Sequence, residues 1–251
     1  MTCVVLAGGD RSKVMIERVP ENRNRLLACL PPEDLDILCP HLVHLNMEKG
    51  ALLCEPGDPI EHVYFPHDAV VSLMTLMREG EAVESSTIGR EGAFGLPAAV
   101  SPRVALSRAI IQVAGRVSRV EAARLHEVWE ASPALRSLVD RHGEALYGHA
   151  IQSVACNALH SVEARFCRWL LSCQDRIGSS RVSLTQEFLA DMLGVQRTTV
   201  TAVARVLQAS GLIQYRRGIV DILDRPGLEA VSCECYDAVR RTYDRLLPET
   251  C

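Results

Sequence analysis

The segment from Leu184 to Leu207 constrains the fold of this chain more than any other part of its sequence. Its first half has the apolar spacing of an amphipathic helix, and Gly194 supplies the left-handed residue that ends such a helix. A second helix is predicted to begin at Gln196, and the small side chain of Ala190 lets the two helices cross closely. The buried face of this predicted helix-turn-helix consists of Leu189, Met192, Leu193, Val200, Val203, Ala204 and Leu207.

The outer face of the second helix is polar at its N-terminal end and carries no acidic side chain there. Arginine can donate to two acceptors of guanine, glutamine can pair with adenine, and threonine offers a methyl group to thymine or a hydroxyl to phosphate. Backbone N–H groups at a helix N-terminus also favour phosphate. A hairpin predicted over residues 211–223 places two more arginines at its tip, as a wing. The predicted DNA contacts are Gln196, Arg197, Thr198, Thr199, Thr201, Arg205, Arg216 and Arg217.

The distribution of charge agrees with this prediction without deciding it. Residues 161–225 hold nine arginines and six acidic side chains, which gives a net charge of +3. Because the net charge of the whole chain is −4, the rest of the chain has a net charge of −7. Many enzymes have local excesses of this size. A helix-turn-helix that serves only for packing is the alternative, and the glycine turn, the small alanine, the polar helix start and the basic hairpin together favour DNA binding.

The N-terminal half has a different sequence pattern. Between His44 and Val120, short runs of β-branched and aliphatic residues are separated by turn signals such as Glu55-Pro56-Gly57-Asp58. Strands at this regular spacing indicate an antiparallel sandwich or roll. Residues 70–77 and 82–88 predict a hairpin. Upstream, short helices are predicted over residues 22–30 and from Pro31-Pro32 onward, because proline is tolerated in a first helical turn.

A long helix is predicted from Ser132-Pro133, an N-cap followed by proline, to about Asn157, which gives roughly 37 Å at 1.5 Å per residue. One stripe recurs at the three- and four-residue steps of a coiled-coil seam, and a neighbouring stripe holds Val139, Leu146, Ala150 and Val154. One stripe can face a partner helix and the other the chain's own domain, although a helix buried on two sides of one domain would show the same pattern. The predicted dimer seam is Leu135, Leu138, His142, Ala145 and His149, continued by Gln152 and Cys156.

The order of roll, long helix and winged helix-turn-helix resembles the Crp/Fnr superfamily of the cyclic-AMP receptor protein and the fumarate-nitrate reduction regulator. The resemblance covers residues 26–224 and rests on Lys49-Gly50, Glu55-Pro56-Gly57-Asp58, His62-Val63-Tyr64-Phe65, Gly89 to Gly95, and Gly194 to Leu212. It implies a sequence-specific transcription regulator rather than an enzyme. It also implies a homodimer whose two recognition helices lie roughly 34 Å apart on a near-palindromic site in double-stranded DNA, with RNA polymerase as a further partner.

The resemblance implies an α+β fold in four parts. These are a disordered leader over residues 1–21, a cyclic-nucleotide-binding-like antiparallel β-roll over 22–130, a dimerisation helix over 131–158, and a winged helix-turn-helix domain with a C-terminal helix over 159–251. No apolar run is long enough to span a bilayer, and residues 2–9 are too short for a signal peptide. A soluble, cytoplasmic protein is therefore expected.

Two departures from the family pattern bear on function. Where family members commonly show Arg-Glu-Thr-Val-x-Arg, this chain has Arg197-Thr198-Thr199-Val200-Thr201-Ala202, so Arg197 is the main expected base contact and the target sequence can differ. Where cyclic-nucleotide binders have Phe-Gly-Glu-Leu, it has Phe94-Gly95-Leu96-Pro97, which lacks the carboxylate for the ribose.

The phosphate arginine of such a pocket is either Arg103, or its place is taken by Leu106-Ser107, depending on the alignment of a short loop. The candidate effector pocket thus consists of Gly95, Leu96, Arg103 and Ser107. A buried phosphate without its cation is costly, so we expect no high-affinity cyclic nucleotide binding and leave the effector unassigned.

The ten cysteines are expected to be reduced and mostly buried, as at Cys29, Cys39, Cys156, Cys167 and Cys173. An iron–sulfur cluster, as in the oxygen-sensing branch of the family, needs closely spaced cysteines, and the N-terminal ones here lie far apart. Cys156 is expected to be an inert thiol, with a redox-sensitive one as the alternative. If helical, Cys233-Glu234-Cys235 would point its thiols about 200° apart, a poor metal geometry, so no metal and no cofactor are expected.

Two other functions are alternatives to DNA binding. A cupin-like metalloenzyme would use histidines of the roll (His41, His44, His62 or His67), but the His-x-His spacing with its accompanying Glu is absent. The other alternative is a sensor or interaction module whose helix-turn-helix has lost DNA binding.

Overall fold

The computed structural model describes residues 24–79 and 81–248. The predicted leader lies outside the described residues, as do the first two residues of the helix predicted over 22–30. Helix α1 (Arg25–Ala28) is capped by the side chain of Asn24, which accepts a hydrogen bond from the Leu27 N–H. Helix α2 (Pro32–Leu38) begins with the predicted proline in its first turn and buries Leu38.

Seven antiparallel strands in the described residues form the predicted roll. One sheet has the order β1 (Val43–Met47), β7 (Gly115–Glu121) and β3 (His62–Pro66). The other has the order β2 (Leu52–Cys54), β6 (Arg108–Val113), β4 (Val70–Leu76) and β5 (Ala82–Ile88). The predicted hairpin is the pair β4–β5. Val71, Ala109 and Ile111 of the second sheet are buried in one apolar cluster. Val63 and Phe65, at alternate positions of β3, are buried in another cluster with Leu96 and Leu125.

Two helices follow the roll. Helix α3 (Ala122–Ala131) leads to α4 (Pro133–Leu159), which has 27 residues and is therefore about 40 Å long. The Ser132 side chain accepts a hydrogen bond from the Leu135 N–H, and Pro133 occupies the first turn, so the predicted start of the long helix is confirmed.

The predicted dimer seam is wrong in its choice of face. Leu135, Leu138, His142, Ala145 and His149 are each less than 5% exposed within a single chain. The two histidines are bonded to the roll, because His142 Nε2 accepts from the Ala93 N–H at 3.2 Å and His149 Nδ1 lies 3.1 Å from Ser86 Oγ. This stripe packs against its own domain and leaves no surface for a partner helix.

The opposite side of α4 is exposed and apolar in its C-terminal half. At 100° per residue, Tyr147, Ile151 and Val154 lie about 180° from the buried stripe. Their exposed fractions are 70%, 54% and 72%, and Leu159 at the helix end is 79% exposed. We call Tyr147, Ile151, Val154 and Ala158 the outer stripe. Of the second predicted stripe, Val139 is buried, Leu146 and Ala150 are not fully exposed, and Val154 belongs to the outer stripe.

His142 should make the protein less stable in acid. Burial lowers its pKa to about 4, whereas an unfolded histidine titrates near 6.5. As the pH falls from about 6.5 to about 4, the unfolded chain binds a proton that the folded chain excludes, so stability is lost. From near pH 7.5 to near pH 5 this residue should cost about 2 kcal/mol. Urea unfolding at both pH values should show a loss about 2 kcal/mol smaller for His142→Gln than for wild type, and equal losses would contradict the assignment.

The winged domain follows α4. Its helices are α5 (Val162–Ile177), α6 (Gln186–Leu193), α7 (Arg197–Ala209) and α8 (Arg225–Val231), and its sheet has the order β8 (Arg181–Ser183), β10 (Ile219–Ile222) and β9 (Ile213–Arg216). Gly178 ends α5 with φ +68°. The predicted hairpin is β9–β10, whereas β8 was not predicted because three residues carry too short a pattern. Phe166, Leu170 and Leu189 are fully buried in the core of this domain.

The C-terminal helix α9 (Cys235–Leu246) packs against α4, where Thr242 Cγ2 would lie 3.6 Å from a β-carbon at Gly148. The Cys233-Glu234 pair lies in the turn between α8 and α9, and only Cys235 is helical. The expectation that the two thiols diverge along one helix is therefore wrong, since a turn directs side chains differently. Cys156, Cys167 and Cys173 are free thiols as expected, and Cys39 forms no disulfide. Cys29 is disulfide-bonded, which contradicts the expectation there.

Candidate nucleic-acid interface

The turn between α6 and α7 has the geometry that the sequence predicts. The Thr185 side chain caps α6 by accepting from the Phe188 N–H at 3.2 Å. Gly194 ends α6 with φ +63°, and its N–H donates to the carbonyl groups of Ala190 and Asp191. A residue with a β-carbon would be strained at this φ, so the glycine sets the angle at which α7 leaves the turn.

Helix α7 buries one side and presents the other to solvent. Val200, Ala204 and Leu207 are at most 2% exposed, and Val203 is half-buried. Gln196 is the N-cap, so α7 begins one residue later than predicted, and the Gln196 side chain makes no capping bond. Gln196, Arg197 and Thr198 are all exposed. The first backbone N–H groups of α7 thus point outward beside polar side chains, which is the arrangement that binds phosphate.

Two of the predicted contacts lie closer to the motif's interior. Thr199 and Thr201 are half-buried, and the Thr201 hydroxyl lies 3.1 Å from Gln186 Oε1 and 3.0 Å from the carbonyl oxygen of Arg197. Thr201 therefore links the start of α6 to α7. Gln186 was not predicted. The sequence shows only that Gln186 directly follows the capping residue Thr185 and so lies at the start of α6.

The wing lies next to α7. The Tyr215 N–H donates to Gln208 Oε1 at 2.9 Å, and the Tyr215 hydroxyl donates to the Leu184 carbonyl oxygen at 2.9 Å. Burial raises the pKa of Tyr215, and the positive charge of Arg197 opposes this shift. Arg217 has φ +50° and Gly218 φ +77°, the left-handed pair of a tight hairpin turn.

Arg197, Arg205, Arg216 and Arg217 share one property. All four are exposed, and in the described parts of the chain none forms an ion pair with a carboxylate. By contrast, Arg181 pairs with Asp221 and Arg225 with Asp175 in the same domain. Unneutralised arginines on a helix face and an adjoining wing form a surface suited to a polyanion.

A buried ion pair joins the winged domain to the roll. Arg176 of α5 lies 2.8 Å from Glu91 and also donates to Thr87, and both side chains of the ion pair are less than 10% exposed. A β-carbon at Gly89 would clash with Arg176, and one at Gly92 would lie 2.6 Å from His142 Nε2. The turn from Gly89 to Gly92 thus touches both α4 and α5.

Further contacts connect the roll to the helix-turn-helix itself. Gln112 Nε2 lies 2.7 Å from Met192 Sδ, and the Lys49 ammonium lies 5.0 Å from the centre of the Phe188 ring. Lys49 Nζ also donates to the Ser183 carbonyl oxygen at 3.3 Å. None of these residues was predicted to make such contacts, because each contact joins segments more than 75 residues apart.

The four predicted effector-pocket residues differ in their exposure to solvent. Gly95 begins a short 3₁₀ turn, Leu96 is 1% exposed in the core beside α3, Arg103 is exposed, and Ser107 is half-buried. The cavity near this part of the roll measures about 70 Å³ and is lined by Leu53, Cys54, Pro59, Ile60, Glu61, His62, Tyr64 and Phe94. Ligand pockets measure roughly 300 Å³ or more, so this cavity is small.

The roll histidines do not form a metal centre. His44 Nδ1 and His67 Nε2 lie 2.9 and 2.7 Å from the Ser118 hydroxyl. Burial lowers the pKa of His44. Within the part of the chain that the structure describes, none of His41, His44, His62 and His67 joins a group of three or more potential metal ligands.

Two family models match the sequence. The cyclic nucleotide-binding domain matches residues 44–132, which include the roll and α3, and the Crp-like helix-turn-helix domain matches residues 164–231. Together they include more than half of the chain, in the order that the fold shows. The chain belongs to the Crp/Fnr family of transcriptional regulators. No curated protein matches it.

Solved structures of regulators share the fold of this Crp/Fnr chain. FixK2 from Bradyrhizobium japonicum is 16% identical, with a TM-score of 0.66 over 76% of this chain and 98% of its own. A CRP/FNR-family transcriptional regulator from Thermus thermophilus is 21% identical, with a TM-score of 0.61 over 76% and 98%. The c-di-GMP-responsive global regulator CLP from Xanthomonas campestris is 15% identical, with a TM-score of 0.61 over 77% and 100%.

This Crp/Fnr protein is a DNA-binding transcription regulator, and the family and structures to which it is similar are regulators rather than enzymes. The metalloenzyme alternative is therefore set aside. Among the described helices, none combines the length and the apolar character that a membrane span requires.

Proposed function

We propose that this Crp/Fnr regulator acts as a homodimer that binds a near-palindromic DNA site with two copies of α7, and that cyclic nucleotides do not control it. The observation that carries the proposal is the surface of four exposed arginines on α7 and the wing, unpaired within the described residues. RNA polymerase is the proposed protein partner at the promoter.

Helix α7 is proposed to lie in the major groove with its N-terminal end against the bases. Arg197 makes the principal base contact, and Gln196, Thr198 and Thr199 lie beside it. Thr201 supports this end of the helix through its bond to Gln186 and contributes its methyl group. Arg205 on α7, together with Arg216 and Arg217 on the wing, binds phosphates and sets the orientation.

The outer stripe of α4 is proposed as the dimer contact, in place of the seam first predicted. A helix face with three large apolar side chains more than 50% exposed is costly in water, and a second copy of the same helix covers it with the same residues. The stripe repeats at steps of four, three and four residues, which is the spacing of a two-helix seam.

Selection of bound duplexes from random DNA by the full chain tests the proposal. The enriched sites should contain two inverted half-sites with centres about 10–10.5 base pairs apart, or a further whole turn, and a guanine at one fixed position of each half. Enrichment of a single half-site would contradict the dimer. No enrichment would favour an interaction module that has lost DNA binding.

Cyclic AMP should not bind with micromolar or tighter affinity. Leu96 packs into the core where a ribose-binding carboxylate would be needed. Arg108, next to the candidate pocket residue Ser107, forms an ion pair with Glu55. Its Nε and Nη2 atoms lie 2.9 and 2.7 Å from the carboxylate oxygens. Arg103, the other candidate for the phosphate, is exposed to solvent, so neither arginine is a buried, unpaired cation for a buried phosphate. Isothermal titration of the purified protein should show no saturable heat, and a micromolar dissociation constant would contradict this part of the proposal.

A further inference from the structure

Four potential metal ligands meet where the winged domain joins the rest of the chain. Cys156 and His160 lie at the C-terminal end of α4, and Cys233 and Cys235 lie at the turn before α9. Their ligand atoms all lie within 4.8 Å of one another. Cys156 Sγ is 3.6 Å from Cys233 Sγ, and Cys235 Sγ is 3.5 Å from His160 Nδ1.

Two of the six ligand–ligand distances can be compared with the edges of a tetrahedron, and the other four are no longer than 4.8 Å. Zinc binds sulfur at about 2.3 Å and histidine nitrogen at about 2.0–2.1 Å, so tetrahedral ligands lie about 3.8 Å apart for two sulfurs and about 3.6 Å apart for sulfur and nitrogen. The two measured distances agree with these edges to about 0.2 Å. A disulfide would require about 2.05 Å between sulfurs. The four atoms also lie too close together to hold a cluster of several irons.

We propose that Cys156, His160, Cys233 and Cys235 bind one zinc ion. The three cysteines are at most 7% exposed, so the site is closed on four protein ligands and leaves no position for a substrate. Closed sites with three cysteines and one histidine are structural zinc sites. Thiolates select zinc over magnesium, calcium and manganese, which prefer oxygen ligands.

Groups around the four ligands hold them in place. His160 Nε2 lies 3.2 Å from the Glu234 carboxylate, which leaves Nδ1 as the metal ligand in the carboxylate–histidine–zinc arrangement. Gln152 Nε2 donates to Cys235 Sγ at 3.0 Å. Such partners fix the ring orientation and the direction of the thiol before the ion arrives.

Positive charge compensates the site. Zinc with three thiolates carries a net charge of −1, and Arg165 and Arg168, about one turn apart on α5, interact electrostatically with the Cys156 and Cys233 sulfurs. The buried Nε atoms of both arginines make no hydrogen bond within the described residues.

The bound ion would fasten both ends of the winged domain. Two ligands precede that domain and two follow it, and Cys156 and Cys233 are 77 positions apart in the chain. Binding releases the three thiol protons and holds α9 against α4, so the affinity for zinc adds to the stability of the fold.

Metal analysis of the full chain, purified without chelator from zinc-containing medium, tests the site. We expect about one zinc per chain by mass spectrometry of the metal. Cys156→Ser and Cys235→Ser should each lower this at least about tenfold. Cys54→Ser, which removes a buried thiol of the roll, should keep it. His160→Cys should also keep it, because four cysteines form a zinc site equally well.

Cobalt provides a second readout that does not depend on purification history. Chelator-treated wild type titrated with Co²⁺ should gain the intense visible bands of a tetrahedral site and the near-ultraviolet absorption of thiolate–cobalt bonds, saturating at one ion per chain. His160→Ala, the change that leaves all three thiols in place, should weaken the visible bands. The proposal is overturned if wild type takes up neither ion, if the cysteine variants retain zinc, or if Cys156 and Cys233 are found as a disulfide.

Discussion

Replacing Arg197 with alanine is expected to lower the affinity for the selected DNA site by about 30-fold to 10⁴-fold. A guanidinium donates two hydrogen bonds to O6 and N7 of guanine, and such a contact is worth about 1–3 kcal/mol of discrimination. A homodimer makes the contact twice, so the loss is about 2–6 kcal/mol. Arg197 is exposed, so alanine leaves no buried group without a partner and the unfolding midpoint should not change. Fluorescence anisotropy with the selected and a scrambled duplex, at one salt concentration, measures the effect.

Two other arginine variants separate base recognition from charge. Arg197→Lys keeps the charge but loses the two-pronged donor, so it should lose most of the preference for the selected duplex and keep its affinity for the scrambled one. Arg205→Ala should weaken both duplexes alike and reduce the salt dependence by about one ion per chain. If Arg197→Ala weakens both duplexes equally, Arg197 is a phosphate contact, and if it binds like wild type, the assignment of α7 to the groove fails.

Changing Val154 to glutamate should convert the proposed dimer to a monomer and thereby lower the affinity for the full DNA site by at least about 100-fold. The outer stripe would pack against its own copy, so each substitution places two carboxylates in one apolar contact, where they are desolvated and repel each other. Val154 is 72% exposed in the single chain, so the protomer should still fold. Sedimentation equilibrium at micromolar protein concentration gives the mass, and circular dichroism checks the fold.

Leu106→Glu is the matched control for this variant. Leu106 is 94% exposed on a loop of the roll, so the same change from an apolar to an acidic side chain should leave the mass of a dimer. A Val154→Glu protein that remains dimeric would show that the outer stripe is not the contact. A wild-type protein that is monomeric would overturn the dimer itself.

The sequence predicted the helix-turn-helix well because its determinants are local. The determinants are the capping residue Thr185, Gly194 and the apolar spacing of α7. Because each acts on residues close to it in the sequence, all three can be recognised within one segment. The strands of the roll were predicted for the same reason, from turn residues at short intervals. Strand β8 was not predicted because its three residues carry too short a pattern, and its partner β10 lies about 40 residues away in the sequence.

The long helix shows where a periodic pattern stops being informative. Both sides of α4 carry apolar residues, and the spacing cannot state which side meets the roll. His142 and His149 looked suitable for a contact between chains, yet their hydrogen bonds to Ala93 and Ser86 bury them within one chain. Burial against a distant segment is a property of the tertiary fold, and a single sequence does not display it.

The predicted geometry of the Cys233 and Cys235 thiols was wrong for a related reason. Cys233 and Cys235 were judged on helical geometry, which holds only if the helix includes both, and α9 begins at the second. Their other two neighbours come from the end of α4, so the cluster exists only after the winged domain has folded back. Arg176 and Glu91 likewise meet across 85 residues.

The turn from Gly89 to Gly92 has a thermodynamic consequence for control. It touches His142 of α4 and Arg176 of α5, and Arg165 of α5 donates to the Leu193 carbonyl oxygen beside the turn that orients α7. An effector that displaces the Gly89–Gly92 turn is therefore expected to change the position of α5 as well. Linkage is reciprocal, so DNA that moves α5 changes the affinity for that effector by the same factor. Binding of DNA at the helix-turn-helix and binding of an effector at the roll are then coupled through the same conformational equilibrium.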